Sequence, residues 1–262
     1  MAESTSERGG SGGLKSVDRA LNVLDLLAQW GEGGVSDLAG ELDVHKSTAF
    51  RLLGSLEGHG LVEQTEDRGK YRLGFGLVRL AGAVSSRMDL TRNVRPVAER
   101  LAKEVGETVN LAVLREHYVV NIDQALGPSA VTTQNWVGAL TPLHATSSGK
   151  VLLAHEERRE QQRLLKLSGL KRYNGQTITD PQVLEKQLAG VLERGYAITV
   201  GEYEEGLNSI AVPVKGADGA VVGALSASGP AYRFPLERME ELAATLLEAG
   251  AEASLQLTHM RG

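Results

Sequence analysis

Residues 44–60, VHKSTAFRLLGSLEGHG, predict a short amphipathic helix. Its apolar residues recur at helical spacing and form one face: Ala49, Leu52, Leu53 and Leu56. The other side carries small hydroxyl and basic side chains, and no acidic residue lies between His45 and Leu56. Such a helix can enter a DNA major groove, where Arg and Lys reach guanine or phosphate. An ordinary helix with a solvated polar face has the same pattern, so the flanking segments must decide.

Two further helices are predicted before this stretch. Apolar residues at i, i+3, i+4 and i+7 mark the first helix, which Ser16 caps and which ends at the glycines of residues 31–34. Ser36 caps the second helix, which is short and carries Leu38 and Leu42. A tight turn at residues 42–45 then leads into the third helix. This arrangement is typical of a helix-turn-helix.

A β-hairpin is predicted directly after the third helix. Residues 61–64 and 70–73 form its strands, and residues 67–69 form its tip. The stretch from residue 68 to residue 88 has no acidic residue and contains five cations: Arg68, Lys70, Arg72, Arg79 and Arg87. Such a hairpin is a wing, whose basic residues are placed to contact phosphates beside the groove. Residues 75–90 then predict a linker helix.

Composition limits the classes of protein that this chain can be. The 262 residues suffice for one large or two small domains. The absence of Cys excludes disulfides, thiolate metal sites and Cys nucleophiles, and it agrees with a reducing cytoplasm. No apolar run reaches transmembrane length, so we expect a cytoplasmic protein without a membrane partner. Residues 1–13 are rich in Ser, Gly and Glu and predict a disordered tail.

The charge of the chain argues weakly against a generic binder of polyanions. The net charge is -5, and residues 1–87 contain 10 Lys and Arg against 12 Asp and Glu, a balance of -2. Any nucleic-acid site must therefore be a local patch of cations rather than a basic domain.

Residues 91–262 predict a second, α+β domain with an antiparallel-rich sheet. It begins with a helix that Pro96 either kinks or restarts. Asp218 and Gly219 are a hairpin signal between two of its strands. Strands are predicted at residues 108–114, 118–124, 131–133, 196–200, 208–214 and 220–227. A helix at residues 235–257 closes the chain.

Serine and threonine residues converge in this second domain. They are Thr146, Ser147, Ser148, Ser209, Ser226 and Ser228. Ser226 and Ser228 are two apart on a strand and share a face, while Leu225 and Ala227 take the other. Residues 146–149 form the first turn of a helix, where free N–H groups favour an anion. The set suits a small polar ligand such as a carboxylate; alternatively, these residues cap helices and strands and bind nothing.

Catalytic and metal-binding patterns find little support. His144 and Val151 break the phosphate-loop pattern around Gly149 and Lys150, and His155 does not begin an H-E-x-x-H motif. No G-x-S-x-G elbow is present, and the six histidines show no paired metal spacing. We therefore expect no enzyme activity, no metal and no cofactor. Trp136, in a loop before the serine cluster, is either a packing residue or a cover for a pocket.

Taken together, these motifs resemble the IclR family of bacterial transcriptional regulators over nearly the whole chain after Gly13. Each motif is weak alone, but their order and spacing are specific. The matching motifs are LKSVDRAL at 14–21, KST at 46–48 with RLL at 51–53, YRLG at 71–74, ETV at 107–109, PLHAT at 142–146 with GK at 149–150, GYA at 195–197, residues 202–206, IAVPV at 210–214 and SASGP at 226–230.

The resemblance implies a winged helix-turn-helix at residues 14–74, a linker helix at 75–90, and a GAF-like domain at 91–262 for effector binding and oligomerisation. It also implies dimers or tetramers, a double-stranded DNA operator and a small organic effector, whose pocket is built from segments matching residues 143–148, 202–209 and 226–228. Phe50 departs from the tyrosine of many relatives, so a phosphate-contacting hydroxyl is missing. Ser147 and Ser148 are more polar than the Gly or Ala of many relatives.

We therefore expect a sequence-specific transcriptional regulator whose operator affinity changes when a small organic metabolite binds. A metabolic enzyme fused to a DNA-binding module and a sensor without DNA activity are the alternatives. The expected DNA-binding residues are Ser36, His45, Lys46, Ser47, Thr48, Phe50, Arg51, Ser55, Arg68, Lys70 and Arg72. The expected effector-binding residues are Leu143, His144, Thr146, Ser147, Ser148, Glu202, Asn208, Ser209, Ser226 and Ser228.

Overall fold

A computed structural model of the chain describes residues 12–66, 69–85, 89–129 and 135–258. The chain divides into two compact units, Met1–Arg87 and Met88–Gly262. Within the described ranges, no helix has both the length and the apolar character needed to cross a membrane. The strand predicted at residues 131–133 and most of the predicted disordered tail lie outside the described residues.

The first unit is a three-helix domain with a small sheet, followed by one more helix. The third strand pairs antiparallel with both others, in the order β1-β3-β2. The elements are α1 (Gly12–Trp30), β1 (Glu32–Gly34), α2 (Val35–Glu41), α3 (Lys46–Gly58), β2 (Val62–Gln64), β3 (Lys70–Leu73) and α4 (Gly76–Ser85). The predicted winged helix-turn-helix is confirmed. α4 lies within the linker helix expected at residues 75–90, of which residues 86–88 are outside the described part of the chain, and the next helix begins at Asp89.

Two predicted helix caps and the start of the first helix are wrong. α1 begins at Gly12, so residues 12 and 13 are not tail and Ser16 lies inside the helix. Ser36 is the second residue of α2, whose N-cap is Gly34. The glycines before it form β1, which sequence analysis missed. A Cβ on Gly33 would lie 3.1 Å from the Trp30 ring and 3.3 Å from Leu27, so glycine allows β1 to run close against α1.

The apolar faces of the three helices and the sheet share one core. Its fully or nearly buried residues are Val23, Leu27, Leu38, Leu53, Leu56, Val62 and Tyr71. The tight turn between α2 and α3 contains Asp43 at a φ of 49°, a left-handed conformation that Asp tolerates better than most residues. The amide of Val44 then donates to the carbonyl of Ala39, which fixes the direction of α3.

The second unit is built on a six-stranded antiparallel sheet in the order β6-β5-β4-β9-β8-β7. Its elements are α5 (Asp89–Val105), β4 (Thr108–Arg115), β5 (Tyr118–Ala125), β6 (Leu140–Thr141), α6 (Ser147–Ala154), α7 (Arg158–Ser168), α8 (Pro181–Arg194), β7 (Ala197–Val200), β8 (Leu207–Lys215), β9 (Val221–Pro230), α9 (Leu236–Glu241) and α10 (Ala243–Thr258). The predicted α+β class is confirmed. The helix α5 is continuous through Pro96, and the closing helix is divided into α9 and α10.

The sheet carries helices on both faces. α5 and α10 pack with Leu111, Ile210 and Leu225 in one buried cluster. α6 and α8 pack with the other face, where the fully buried strand residues are Val119 and four small side chains: Ala112, Ala197, Ala211 and Ala224. This second face receives the N-terminus of α6 close to the strands, as described below.

α10 packs tightly against β8 at Gly250. A Cβ there would lie 2.9 Å from Cγ2 of Val212 and 3.0 Å from the carbonyl oxygen of Pro213. We expect Gly250→Ala to lower the free energy of unfolding by about 1–3 kcal/mol, because the helix must shift away from the sheet. Urea unfolding followed by circular dichroism measures the change.

Gly190, inside α8, provides the matched control. Its Cβ would approach only the flexible end of Arg194, at 3.4 Å. Gly190→Ala should leave stability unchanged or raise it by up to about 1 kcal/mol, since Ala favours the helix. Equal stability of the two variants would contradict the close packing of α10 on β8.

Candidate functional site

The helix α3 turns its apolar side to the core and its polar side to solvent. Ala49 and Leu53 are fully buried and Leu56 is 7% exposed. Of the residues expected to bind DNA on or beside this helix, the exposed ones are His45, Lys46, Ser47, Phe50, Arg51 and Ser55. Thr48 is half-buried, and Ser36 is exposed on α2. The structure therefore presents most of this set on one accessible surface.

The cations of α3 are available for an external anion. Across the described part of the chain, neither Lys46 nor Arg51 has an acidic side chain within ion-pair distance. Arg51 lies one helical turn after Ser47 on the same face, at i+4. An exposed, unneutralised cation beside a hydroxyl suits contact with phosphate or with a guanine edge.

The wing differs from the expected run of cations without acids. Lys70 Nζ lies 2.5 Å from Oε1 of Glu32, and Arg72 Nη2 lies 2.7 Å from Oε1 of Glu63. The acids come from β1 and β2, which flank β3 and place both carboxylates opposite Arg72 in the register. The pairing of Lys70 was not predicted because β1 was not, whereas Glu63 and Arg72 face each other across the predicted hairpin. Arg68 lies outside the described residues.

A cavity of about 70 Å³ lies in the second unit between the N-terminus of α6 and the sheet. Six residues of the expected effector set line it: Thr146, Ser147, Ser148, Ser209, Ser226 and Ser228. Nine others that were not in that set also line it: Asn110, Asn121, Trp136, Thr141, Ala145, Thr199, Tyr203, Glu204 and Leu207. Asn110 interrupts the apolar run of one predicted strand, and Asn121 follows two valines in another. A polar residue in such a run indicates a candidate binding site.

The strand register aligns polar side chains across the floor of the cavity. Ser209 is opposite both Thr199 and Ser228, and Ser226 is opposite Asn110. The hydroxyl of Ser209 lies 3.0 Å from that of Thr199 and 2.7 Å from that of Ser147. A chain of three hydroxyl groups therefore connects the sheet to the first turn of α6.

Asn110 has an unused acceptor at this floor. Its side-chain amide donates to the hydroxyl of Ser228 at 3.4 Å, and the residue is only 5% exposed. Its Oδ1 has no partner among the described residues. Since a buried carbonyl oxygen without a hydrogen bond costs free energy, this atom favours a ligand that brings a donor.

The first turn of α6 supplies donors to the same cavity. Thr146 is the N-cap, and its hydroxyl oxygen accepts from the amide of Gly149 at 3.1 Å while donating to the carbonyl of Pro142. The backbone N–H groups of Ser147 and Ser148 lie in the first turn of the helix, where no helical carbonyl is placed to accept from them. No Lys or Arg lines the cavity among the described residues, so these amides and the helix dipole provide its positive potential.

Aromatic rings form one side of the cavity. The ring centres of Trp136 and Tyr203 are 6.4 Å apart, and Tyr203 meets Tyr173 edge to face at 4.9 Å. His144 continues the series 6.0 Å from Tyr173. Trp136 therefore lies at the cavity, as one of its two predicted roles required.

Four residues of the expected effector set do not line the cavity. Leu143 is fully buried in the apolar cluster with α6 and α8. His144 Nε2 is 3.0 Å from the Lys171 carbonyl oxygen, and burial lowers the pKa of its ring. Asn208 donates to the carbonyl of Phe234, and Glu202 pairs with Lys150. They belong to the support of the cavity rather than to its wall.

The pair of Lys150 and Glu202 ties α6 to the loop that carries Tyr203 and Glu204. Lys150 Nζ lies 2.5 Å from Glu202 Oε1, and the side chains are 1% and 8% exposed. Burial lowers the pKa of Lys150 and raises that of Glu202, while the attraction between the two groups opposes both shifts. A buried cation was not predicted at this position, because Lys is rarely buried unless it is paired.

Metal binding receives no support from the geometry. Among the described residues, no group of three or more His, Asp or Glu side chains is arranged to hold a metal ion.

Comparison with known proteins decides the family. Residues 16–66 match the family model of the IclR helix-turn-helix domain, and residues 82–255 match that of the bacterial transcriptional regulator IclR C-terminal domain. The chain belongs to the IclR family. It is therefore a DNA-binding transcriptional regulator.

Similar proteins match this IclR-family chain over nearly its whole length. The regulator BhcR of Paracoccus denitrificans is 32% identical, over 93% of this chain and 88% of that protein. The regulator KdgR of Escherichia coli is 33% identical, over 93% of both chains. The crystal structure of an IclR homologue from Microbacterium hydrocarbonoxydans complexed with 4-hydroxybenzoate is 31% identical, covers 95% of this chain and 100% of that one, and has a TM-score of 0.79.

We expect Glu202→Gln to destabilise the second unit by about 3–5 kcal/mol, because it leaves the buried Lys150 ammonium without its counter-charge. Chemical unfolding monitored by circular dichroism measures the loss. The double variant Lys150→Met with Glu202→Leu removes both charges and should recover most of it.

Glu160→Gln removes the acid of an exposed ion pair with Arg163 and is the control. It should leave stability nearly unchanged, since exposed pairs contribute little. If Glu202→Gln behaves like Glu160→Gln, the buried pair does not hold α6 and the loop together.

Proposed function

We propose that the exposed face of α3 enters the major groove of an operator duplex and that Arg51 contacts a base edge or phosphate there. The accessibility of Lys46, Ser47 and Arg51 and the lack of acidic neighbours support this role. The N-terminal half of the recognition helix is the part that reaches base edges in helix-turn-helix proteins. The small number of available cations means that specificity rests on few contacts.

The wing contributes through exchange of ion-pair partners. Lys70 and Arg72 are paired with acids, but the four side chains are about half exposed. Exposed pairs of this kind are worth about 0–1 kcal/mol, so transfer of the cations to phosphates costs little. The wing thus supports binding without adding a strong static positive charge.

We propose that the cavity beside α6 binds a small hydroxylated organic acid. The free amides of Ser147 and Ser148 suit a carboxylate, and the open acceptor of Asn110 suits a hydroxyl donor. A cavity of about 70 Å³ has room for about five or six water-sized groups. The relative complexed with 4-hydroxybenzoate supports the same class, since that ligand carries both a carboxylate and a hydroxyl.

We infer that the protein acts as a homo-oligomer, either a dimer or a tetramer, on a partly palindromic operator. Two winged domains would then meet half-sites about one helical turn or a multiple apart. Effector binding would shift the placement of the DNA-binding heads. A coupling of about 1–3 kcal/mol changes operator occupancy about 5- to 150-fold.

Affinity selection of genomic fragments by the purified protein tests this function. Selection is repeated with a panel of two- to six-carbon hydroxy acids, with 4-hydroxybenzoate, and with the neutral amide of each acid. Enrichment of a common palindromic sequence that an acid changes and its amide does not would support the proposal. Absence of any enriched sequence would overturn it.

Arg51→Ala should weaken specific operator binding by about 1–3 kcal/mol, because it removes a charged base or phosphate contact. Fluorescence anisotropy with the selected duplex measures the loss. Arg159→Ala removes an exposed arginine on α7 and serves as the control. Unchanged operator affinity in a folded Arg51→Ala protein would sink the proposed role of α3.

Ser226→Leu should keep DNA binding but weaken the effector response about tenfold or more, because the larger side chain projects into the cavity and overpacking costs about 1–3 kcal/mol. Release of the operator during titration with the active acid measures the response. Val222→Leu, at an exposed position on the same strand, is the control. A wild-type effector response in Ser226→Leu would mean that the ligand binds elsewhere.

A further inference from the structure

Phe50 is the large apolar side chain that α3 leaves exposed. The residue is 59% exposed, whereas Leu53 on the same helix is fully buried. Ser47, Phe50, Arg51 and Gly54 stand at positions i, i+3, i+4 and i+7, so they share one face of the helix. The ring therefore lies on the face that carries the proposed contact of Arg51, and it contributes little to the core of the first unit.

The chemistry of this ring limits what it can contact in DNA. Phenylalanine has no hydrogen-bonding group, so it cannot bind a phosphate or the polar edge of a base. The apolar partner that a base offers in the major groove is the C5-methyl group of thymine. Single exposed apolar residues are common on protein surfaces, but this one lies among the few side chains that reach the groove.

The surroundings of the ring allow a close approach of the duplex. Phe50 is the fifth residue of α3, in the N-terminal half that reaches base edges in helix-turn-helix proteins. Gly54 follows one turn later, and a Cβ there would meet no atom within 4 Å. Because Gly54 has no side chain, no protein atom projects beside the ring at that position, and a base edge can reach the ring.

We propose that Phe50 reads the C5-methyl group of one thymine in each operator half-site. This inference rests on the proposed entry of α3 into the major groove and adds to it a direct contact that distinguishes T·A from the other base pairs. Arg51 and the hydroxyls would supply polar contacts, and Phe50 would supply the apolar one. The hydroxyl that a tyrosine would carry at this position is not needed for such a contact.

A scan with deoxyuridine tests the contact, because uracil pairs like thymine and lacks only the methyl group. The probe is a 30-base-pair duplex that the full-length protein selects from a random library. Each thymine is replaced singly, and affinity is measured by fluorescence anisotropy. We expect a loss of about 4-fold at one symmetric pair of positions and about 15-fold when both are replaced, as for burial of one methyl-sized group per half-site.

Variants then assign the methyl contact to its residue. Phe50→Ala should bind the thymine duplex more weakly and bind the thymine and uracil duplexes equally. Phe50→Leu should keep part of the preference for thymine. Arg51→Ala is the matched control, which should lose affinity for both duplexes but keep the wild-type ratio between them. Circular dichroism checks that each variant is folded.

The outcomes separate this inference from the function on which it rests. If the library yields no enriched duplex, DNA recognition itself fails and the contact of Phe50 falls with it. If a duplex is enriched but no uracil substitution weakens binding, only the methyl contact is overturned. If Phe50→Ala keeps the full preference for thymine, another residue reads the methyl group and the assignment is overturned.

Discussion

The second unit depends on how closely α6 can approach the sheet. Four of the five fully buried strand residues that pack with the helix are alanines, Ala112, Ala197, Ala211 and Ala224, and α6 itself carries Gly149 in its first turn. A Cβ on Gly149 would lie 2.4 Å from the Leu143 carbonyl oxygen. Glycine there allows the first turn of α6 to fold tightly against the segment that precedes it, and the small strand residues leave room for that turn beside the polar row of the strands. The cavity lies between the backbone donors of the first turn of α6 and the hydroxyl groups of the strands. The buried Lys150–Glu202 pair then holds the loop with Tyr203 against the same helix.

Periodicity and turn chemistry were enough to predict the class of fold. The apolar face of α3, the hairpin of β2 and β3, and the alternation of Leu225, Ser226, Ala227 and Ser228 are local patterns, and the structure shows each of them. The predictions failed where contacts with distant segments, rather than the local pattern, determined the structure. The glycines after α1 end that helix at Trp30 as predicted, but Gly33 and Gly34 also belong to the strand β1, because β3 pairs with them. Ser36 has the right chemistry for a cap, but Gly34 takes that place because β1 leads directly into α2.

The cavity was only partly predictable for a related reason. Clustered hydroxyls are visible in sequence, and six of them line it. Asn110 and Asn121 come from two other strands, and no sequence spacing reveals that β4 lies beside β9. Glu202 and Asn208 are polar residues in the right segments, but the direction of a side chain depends on its partners. Glu202 pairs with Lys150, and Asn208 donates to the carbonyl of Phe234, so neither side chain lines the cavity.

The acids beside the wing change the thermodynamics of DNA binding. A free cation that meets a phosphate displaces condensed counterions, and this release makes affinity fall steeply with salt. Lys70 and Arg72 already hold Glu32 and Glu63 as internal counter-charges. If these two cations move to phosphates as proposed, the two carboxylates are left to attract cations from solution, which offsets part of the release. The affinity of this protein for DNA should therefore depend on ionic strength less steeply than its number of phosphate contacts alone would require.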